Sequence, residues 1–182
     1  MKATGIVRRI DDLGRVVIPK EIRRTMRIRE GDPLEIYTDR EGEVIFKKYS
    51  PIGELAAFAA EYAETLYKTC SLSVIICDRD AVIATAGISK KEYTDKPLSD
   101  ELEKLIETRN LFVWREGDSM ISPISTGTAH FVRCAMPILA EGDIVGCVVS
   151  LGNAEDKRSI SAEVETKLIQ TAAGFLGRQL EN

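Results

Sequence analysis

The sequence predicts an α+β protein in two parts, a β-rich N-terminal segment of residues 1–50 and an α+β domain of residues 51–182. Charge divides the chain, because the first 30 residues carry nine bases and four acids whereas the whole chain has a net charge of −4. The Ser50-Pro51 pair marks a joint, since serine caps helices and proline suits their first position. On each side of this joint, some segments have apolar residues at the two-residue spacing of strands and others at the spacing of about 3.6 residues of helices.

The N-terminal segment is predicted to form short strands around one short helix. One turn is expected at Asp11–Gly14, and a hairpin turn is expected at Asp39–Gly42. Pro19 suits the first helical position, because a proline nitrogen has no N–H to leave unpaired there. The predicted elements are the strands Thr4–Ile10, Arg15–Ile18, Leu34–Thr38 and Val44–Lys48, and the helix Pro19–Met26.

The first two strands are apolar on both faces. Ile6 and Val7 point to opposite sides of the first strand, and Val16 and Val17 do the same in the second. A strand with no polar face requires cover on both sides. A segment of roughly 50 residues also rarely buries enough surface to be stable alone. We therefore expect a second copy of the chain to cover these strands in an interleaved dimer.

The C-terminal domain is predicted to have two helices flanking a mostly antiparallel sheet and lying together on one of its faces. The strongest strand pair is His130–Leu139 with Asp143–Leu151. The other predicted elements are the strands Leu72–Cys77, Ala81–Ala86, Leu111–Trp114 and Ser119–Ile124, the helix Pro97–Glu107, and the flanking helices Pro51–Lys68 and Ser161 onward.

Both flanking helices carry apolar stripes. In the first, a heptad-like seam of Ile52, Leu55, Ala59, Tyr62 and Leu66 runs beside a stripe of Ala56, Ala60, Ala63 and Tyr67. Two interpretations stay open: the stripes face the domain and a partner helix separately, or they form one broad core surface. In the last helix the predicted core stripe is Val164, Leu168, Ala172, Phe175 and Leu176, with Ala173, Gly174 and Gly177 suited to close helix approach.

Composition argues against several classes of protein. No apolar run approaches the roughly 20 residues that span a bilayer, and the N-terminus has no signal-peptide core. We expect a cytoplasmic protein with no membrane partner. The four cysteines and one histidine lack the spacing of a zinc site or a catalytic dyad. The expected state is therefore buried reduced thiols, no metal and no enzymatic activity.

Basic residues cluster on one side of the predicted N-terminal helix. On a wheel of about 100° per residue with Ile22 at zero, four bases fall between about 100° and 200°; they are Lys20, Arg23, Arg24 and Arg27. Clustered charge of one sign is an electrostatic footprint for nucleic acid. Dimer formation would double these charges together with those of Arg8, Arg9 and Arg15.

Arginine outnumbers lysine seven to two among the first 30 residues. The guanidinium can donate two parallel hydrogen bonds to a phosphate or to the edge of a base, so an excess of arginine favours recognition of a duplex. The segment has no aromatic platform for unstacked bases. We therefore expect double-stranded DNA as the partner, bound largely through phosphates and read partly through DNA shape.

Residues 1–49 resemble AbrB-type DNA-binding domains. The resemblance rests on Thr4 to Pro19, with its Gly-Arg-Val-Val-Ile-Pro core, and extends through Glu21–Thr25 and Leu34–Tyr37. It implies a swapped-hairpin dimer and a transcription regulator. The DNA-binding residues that it implies at matching positions are Arg8, Arg15, Arg23 and Arg24, followed by Lys2 and Arg9. Swapped-hairpin domains also occur in antitoxins, so a protein-interaction module is the alternative.

The second part resembles GAF domains. Met136–Leu139 followed by Gly142–Val148 is similar to the paired core strands of that family. An AbrB-type segment joined to a GAF-like domain resembles a regulator of late sporulation genes and implies a homotetramer joined through the GAF helices. GAF-like domains often hold a small ligand, so a small-molecule effector, with no cofactor beyond it, is weighed against a purely oligomerising role. The candidate ligand residues are Cys77, Thr85, Ser122, His130 and Arg133.

Overall fold

A computed structural model describes residues 5–153 and 160–181 of the chain. The chain divides into two compact units, Met1–Tyr49 and Ser50–Asn182, which are described separately. No helix in the described ranges is long and apolar enough to cross a membrane. The elements are α1 Lys20–Thr25, β1 Leu34–Thr38, β2 Val44–Lys48, α2 Pro51–Glu54, α3 Ala56–Cys70, β3 Val74–Cys77, β4 Val82–Ala86, α4 Lys90–Tyr93, α5 Asp100–Glu107, β5 Phe112–Val113, β6 His130–Ala140, β7 Asp143–Asn153 and α6 Ala162–Leu180.

The hairpin of β1 and β2 confirms the prediction for residues 34–48. The strands are antiparallel and pair from Leu34 opposite Lys48 to Thr38 opposite Val44. The Asp39 carboxylate fixes the turn by accepting hydrogen bonds from the backbone N–H groups of Glu41 and Glu43, both at 2.9 Å. Gly42 follows with φ of 85°, a conformation that favours glycine.

The two strands predicted before α1 are absent, because residues 5–19 contain no helix or strand. The predicted turn forms, with backbone hydrogen bonds from Asp11 N to Arg15 O and from Gly14 N to Asp11 O, both 3.0 Å. No ladder continues beyond it. A strand exists only where another segment satisfies its backbone groups, and residues 5–49 supply no such segment to these two.

Residues 5–49, the described part of the N-terminal unit, have no apolar core of their own. Pro19 is the one buried residue among residues 5–49. Polar contacts tie its segments together instead: Lys48 Nζ lies 3.0 Å from the Asp32 carboxylate and donates to the Arg27 carbonyl. Twelve large apolar side chains are exposed, namely Ile6, Val7, Ile10, Leu13, Val16, Val17, Met26, Ile36, Tyr37, Val44, Ile45 and Phe46.

The C-terminal unit contains a five-stranded antiparallel sheet in the order β4-β3-β7-β6-β5. The helices α3 and α6 pack on one face, around a core that includes Val148 and Leu176. The other face carries α4 and α5 on a second core that includes Val149 and Leu102. The prediction that the flanking helices share one face of the sheet is confirmed.

The strand predicted at Ser119–Ile124 is wrong. This segment is a loop with a single bridge between Leu98 and Ile124. Local hydrogen bonds compete with strand pairing there, because Ser122 Oγ donates to the Ile124 carbonyl at 2.9 Å. The Ser122 carbonyl in turn accepts from Ser99 Oγ at 2.6 Å, which ties the loop to the start of α5.

Serine caps begin three helices of the unit. Ser50, as predicted, accepts from Gly53 N at 3.2 Å with Pro51 in the first turn, and its hydroxyl also donates to Asp78. Ser99 accepts from Leu102 N at 3.1 Å, and Ser161 accepts from Val164 N at 3.3 Å. Each cap satisfies an N–H that the helix leaves unpaired.

The buried face of α6 is rotated from the predicted stripe. Ala172 and Leu176 are buried as expected, but Val164 is 49% exposed and Phe175 is 41% exposed. The close approach at Gly177 explains the rotation, because a Cβ there would collide with the Leu139 carbonyl of β6. Glycine lets the helix lie directly on the strand, which turns Phe175 outward.

Replacing Gly177 with alanine should therefore lower the melting temperature of the protein. The added Cβ must displace the β6 backbone, and such overpacking costs about 1–3 kcal/mol. Gly174 of the same helix is the matched control, because nothing lies within 4 Å of a Cβ built there. Gly174→Ala should stabilise by up to about 1 kcal/mol through helix propensity. Equal shifts for the two variants in thermal or urea unfolding would contradict this packing.

Candidate functional sites

The predicted DNA-contacting arginines differ in their surroundings. Arg8, Arg9 and Arg24 are exposed. Arg24 belongs to α1 and follows Arg23 directly, whereas Arg8 and Arg9 precede the Asp11 turn. Lys2 lies outside the described residues.

Arg15 is held by the turn. Its Nε donates to Asp11 Oδ2 at 2.8 Å, and its backbone N–H donates to Asp11 Oδ1 at 2.7 Å. These two hydrogen bonds, the backbone one first, lower the pKa of Asp11. The Arg15 side chain remains 69% exposed, and the ion pair engages Nε alone. The turn therefore fixes the direction of the guanidinium and leaves its two terminal nitrogens available.

Arg23 is half-buried, unlike its neighbour Arg24. Its Nε is buried and has no hydrogen-bond partner among the described residues. Helix α1 also ends at Thr25, one residue before the predicted end, and Arg27 adopts a positive φ of 51°. Arg27 therefore does not lie on the helix side where the wheel placed it together with Lys20, Arg23 and Arg24.

Two of the predicted ligand residues lie on the α5 side of the sheet. Cys77 is fully buried, and its Sγ donates to the Cys147 carbonyl at 3.5 Å, so it belongs to the core. Thr85 pairs with Ile75, a member of the core beneath α5. Its hydroxyl is buried and has no partner in the described part of the chain.

His130 forms a polar contact that the sequence did not indicate. Its Nδ1 lies 2.8 Å from the hydroxyl of Tyr93, and the two rings meet edge to face with centroids 5.8 Å apart. Burial of the tyrosine raises its pKa. Ser122 has its hydroxyl committed to Ile124, as described above. Nδ1 of His130 and the hydroxyl of Ser122 are therefore both engaged within the protein.

Arg133 lies on the opposite face of the sheet from Thr85. It is 8% exposed, and its guanidinium rests against Gly152 of β7. Gly152 is two residues from Ser150, whose Oγ donates to the α6 carboxylate of Glu165 at 2.6 Å. Residues two apart in a strand share a face, so Arg133 lies on the α6 side. The five predicted ligand residues therefore do not converge on one cavity.

Sequence reasoning missed Tyr93, Trp114, Gly152 and Glu165. Tyr93 lies in a four-residue helix that has no apolar repeat. Glu165 follows a capping serine, so its charge looks like an ordinary favourable residue of the first helical turn, yet it is 2% exposed. A glycine near the end of a strand is the one local signal, since it often marks close approach of another group.

Comparison with known proteins places this architecture in a family. A family model described as stage V sporulation protein T C-terminal, transcription factor, matches residues 54–181. A model described as antidote-toxin recognition MazE, bacterial antitoxin, matches residues 7–53. The chain belongs to the stage V sporulation protein T family of transcription factors.

Individual relatives support this assignment over the whole length. Stage V sporulation protein T of Bacillus subtilis (strain 168) is 55% identical over 183 residues, which covers 100% of this chain and 99% of that protein. Transition state regulatory protein AbrB of the same organism is 65% identical over 51 residues, which covers 28% of this chain and 52% of that protein. The full-length match favours the transcription regulator over the antitoxin-like module.

The fold of the second unit has relatives among solved structures. The GAF domain of A. aeolicus nlh2, in an inactive state, has a TM-score of 0.51 and 16% identity, and the match covers 68% of this chain and 82% of that one. At this identity the likeness shows the fold alone. The predictions of an AbrB-like N-terminal domain, a GAF-like α+β domain and a transcription regulator are confirmed.

Proposed function

We propose that this regulator binds duplex DNA as a homo-oligomer, with two interlocked N-terminal units forming one arginine-rich surface and acting at the nucleoid. The observation that carries the proposal is the missing core of the N-terminal unit. Twelve large apolar side chains are exposed there while Pro19 alone is buried among residues 5–49. A second copy of the chain is the simplest partner that would bury these side chains, because it exposes the same apolar segments.

The dimer would place the exposed arginines in pairs. Arg8, Arg9 and Arg24 are exposed in each chain. Arg15 adds a guanidinium whose direction is set by Asp11. Paired cations across a twofold axis suit the two phosphate backbones of a duplex. We therefore assign DNA contact to Arg8, Arg9, Arg15 and Arg24, with Arg23 at the edge of the surface.

The test is the salt dependence of binding by the full chain. Fluorescence anisotropy with labelled genomic duplexes should show that affinity falls about 10³–10⁵-fold between 50 and 200 mM salt, as expected for about six to ten phosphate contacts. A single strand of the same sequence should bind more weakly. Salt-independent affinity, or preference for the single strand, would refute the proposal.

A second interface would join dimers into a tetramer through α3 and α6. Phe175 is 41% exposed, and its ring centroid lies 5.7 Å from that of Tyr62 and 5.8 Å from that of Phe58. Val164 extends this apolar face along α6. The aromatic side chains of the two helices meet at this face, and we propose that the same face of a second copy covers it.

Phe175→Glu should halve the mass of the assembly in light scattering, because a charge cannot enter an apolar interface without a partner. Lys167→Gln is the matched control, since Lys167 is an exposed residue about 80° round the same helix from Phe175 and its loss changes the net charge by the same amount. That control should keep the parent mass. A tetramer that persists in Phe175→Glu would rule out this interface.

We further propose that the GAF-fold unit binds a small-molecule effector. Two buried polar residues on opposite faces of the sheet each support this role: Arg133 on the α6 face, and Thr85, whose hydroxyl has no partner among the described residues, on the α5 face. Binding groups of this kind are what an apolar ligand site needs for orientation. Thermal-shift screening of the full chain tests the role, because a bound effector raises the melting temperature.

A further inference from the structure

We propose that Arg133 anchors a binding site for a small organic carboxylate on the α6 face of the sheet, with Trp114 and Phe131 as its apolar wall. This inference rests on the effector role proposed above and names the site and the ligand class. It does not depend on DNA binding by the N-terminal unit, so the two can fail separately.

A β-bulge places the arginine. The pairing of β6 with β7 shifts register between Val132 and Cys134, which leaves Arg133 as the extra residue. Bulges redirect a side chain away from the regular alternation of a strand. The guanidinium is directed over Gly152, where a Cβ would lie 2.7 Å from both Nε and Nη2. Any side chain at position 152 would displace it, so bulge and glycine together create the place for the cation.

Arg133 is nearly buried as a whole residue, its guanidinium nitrogens still reach solvent, and no acid among the described residues lies within ion-pair distance of them. Arg133 is 8% exposed, yet it makes no side-chain hydrogen bond or ion pair with the described residues. Glu165, the buried acid on this face, accepts from Ser150 instead. A buried charge without a partner is costly. An anion that enters from solvent would remove this cost.

One aromatic ring lies beside the guanidinium, and a second packs against the first. A Cβ on Gly152 would lie 2.8 Å from Phe131 Cζ and 2.7 Å from two guanidinium nitrogens, so the Phe131 ring and the guanidinium both pack directly over Gly152 and lie side by side. The Trp114 ring lies 4.9 Å from that of Phe131, and its backbone N–H donates to the Arg133 carbonyl at 2.8 Å. Trp114 is half-buried, which leaves the edge of the site open to solvent.

These groups select the ligand by chemistry. The planar fork of arginine matches the two oxygens of a carboxylate. The rings offer an apolar surface for the carbon body of the same molecule. Because the wall is aromatic and Arg133 is the one cation that the described residues place beside it, the site favours an organic monocarboxylate over an inorganic polyanion.

The chain contains a built-in reporter, because Trp114 is its one tryptophan. Titration of the full-length protein with phenylacetate should change the tryptophan fluorescence in a saturable way. Phenylacetamide has the same shape without the charge, and it should bind about 10–100-fold more weakly, the range expected for a charged hydrogen bond. Equal binding of the two, or no saturable change with phenylacetate, would overturn the proposal. Tighter binding of inorganic phosphate would overturn the assignment to carboxylates.

Arg133→Met should abolish the phenylacetate response, and Arg115→Met is the matched control. Arg115 is an exposed cation next to Trp114, so its loss changes the charge near the reporter but leaves the anchor in place. If Arg133→Met does not fold, Arg133→Lys keeps the charge without the fork and should bind phenylacetate at least about tenfold more weakly. Unchanged binding in the folded Arg133 variant would refute the site. DNA affinity measured in parallel should match that of the parent protein.

Discussion

Replacing Arg8 and Arg24 together with glutamine should weaken binding to duplex DNA by roughly 100-fold or more at physiological salt, because a dimer loses four phosphate-binding charges. Both side chains are exposed, so their removal should leave the fold intact. The slope of log affinity against log salt should become shallower by up to about 3.6, at about 0.9 for each lost phosphate contact. Anisotropy titrations at several salt concentrations measure both quantities.

Arg40→Gln is the control for this experiment. Arg40 is an exposed arginine in the β1–β2 turn of the same unit, and it lies outside the assigned DNA surface. Its loss changes the net charge of the chain without removing an assigned contact. An equal loss of affinity per charge for Arg40→Gln and for the double variant would mean that net charge, rather than the assigned surface, governs binding.

The second large effect is expected for Val17→Asp. Val17 is 71% exposed in a single chain. If a second copy covers it, each buried valine contributes about 1.5–3 kcal/mol, and the twofold axis counts it twice. A charge at this position should separate the N-terminal units, reduce the mass of the assembly in light scattering, and abolish DNA binding together with dimerisation.

Met120→Asp is the matched control, because Met120 is 58% exposed in a loop of the second unit. It should keep the parent mass and DNA affinity. Combining Val17→Asp with Phe175→Glu should yield monomers, since each change removes a different interface. A Val17→Asp protein with parent mass and parent DNA affinity would disprove the interlocked dimer.

Local patterns were sufficient wherever one chain segment supplies its own partner. The bounds of the β1–β2 hairpin were predicted to the residue, because a short turn between two runs of strand-forming residues fixes which residues pair. The Ser50 cap was predicted for the same reason, since Pro51 and Gly53 lie within its own turn. The GAF-like strand pair, whose longer strands are joined by a tight turn, also followed from the sequence.

Prediction failed wherever the partner is distant in the chain. The strands expected before α1 have no ladder within residues 5–49, although their two-sided apolar pattern did indicate the need for a second copy. The buried face of α6 was predicted wrongly because the Leu139 carbonyl packs closely against Gly177. The spacing of apolar residues along the helix does not show this contact. Arg133 was identified as a candidate, but its bulge and its glycine became visible only in the sheet.

The sequence by itself determined the division into two parts, the hairpin, the cap at the joint and the excess of arginine in the first 30 residues. These features depend on spacing and charge along the chain, which are local quantities. Only the tertiary structure decided which side of α6 is buried and which of the five ligand candidates lies beside an aromatic wall. Both depend on how distant backbones approach one another, and that distance is set by packing across the sheet rather than by any neighbouring residue.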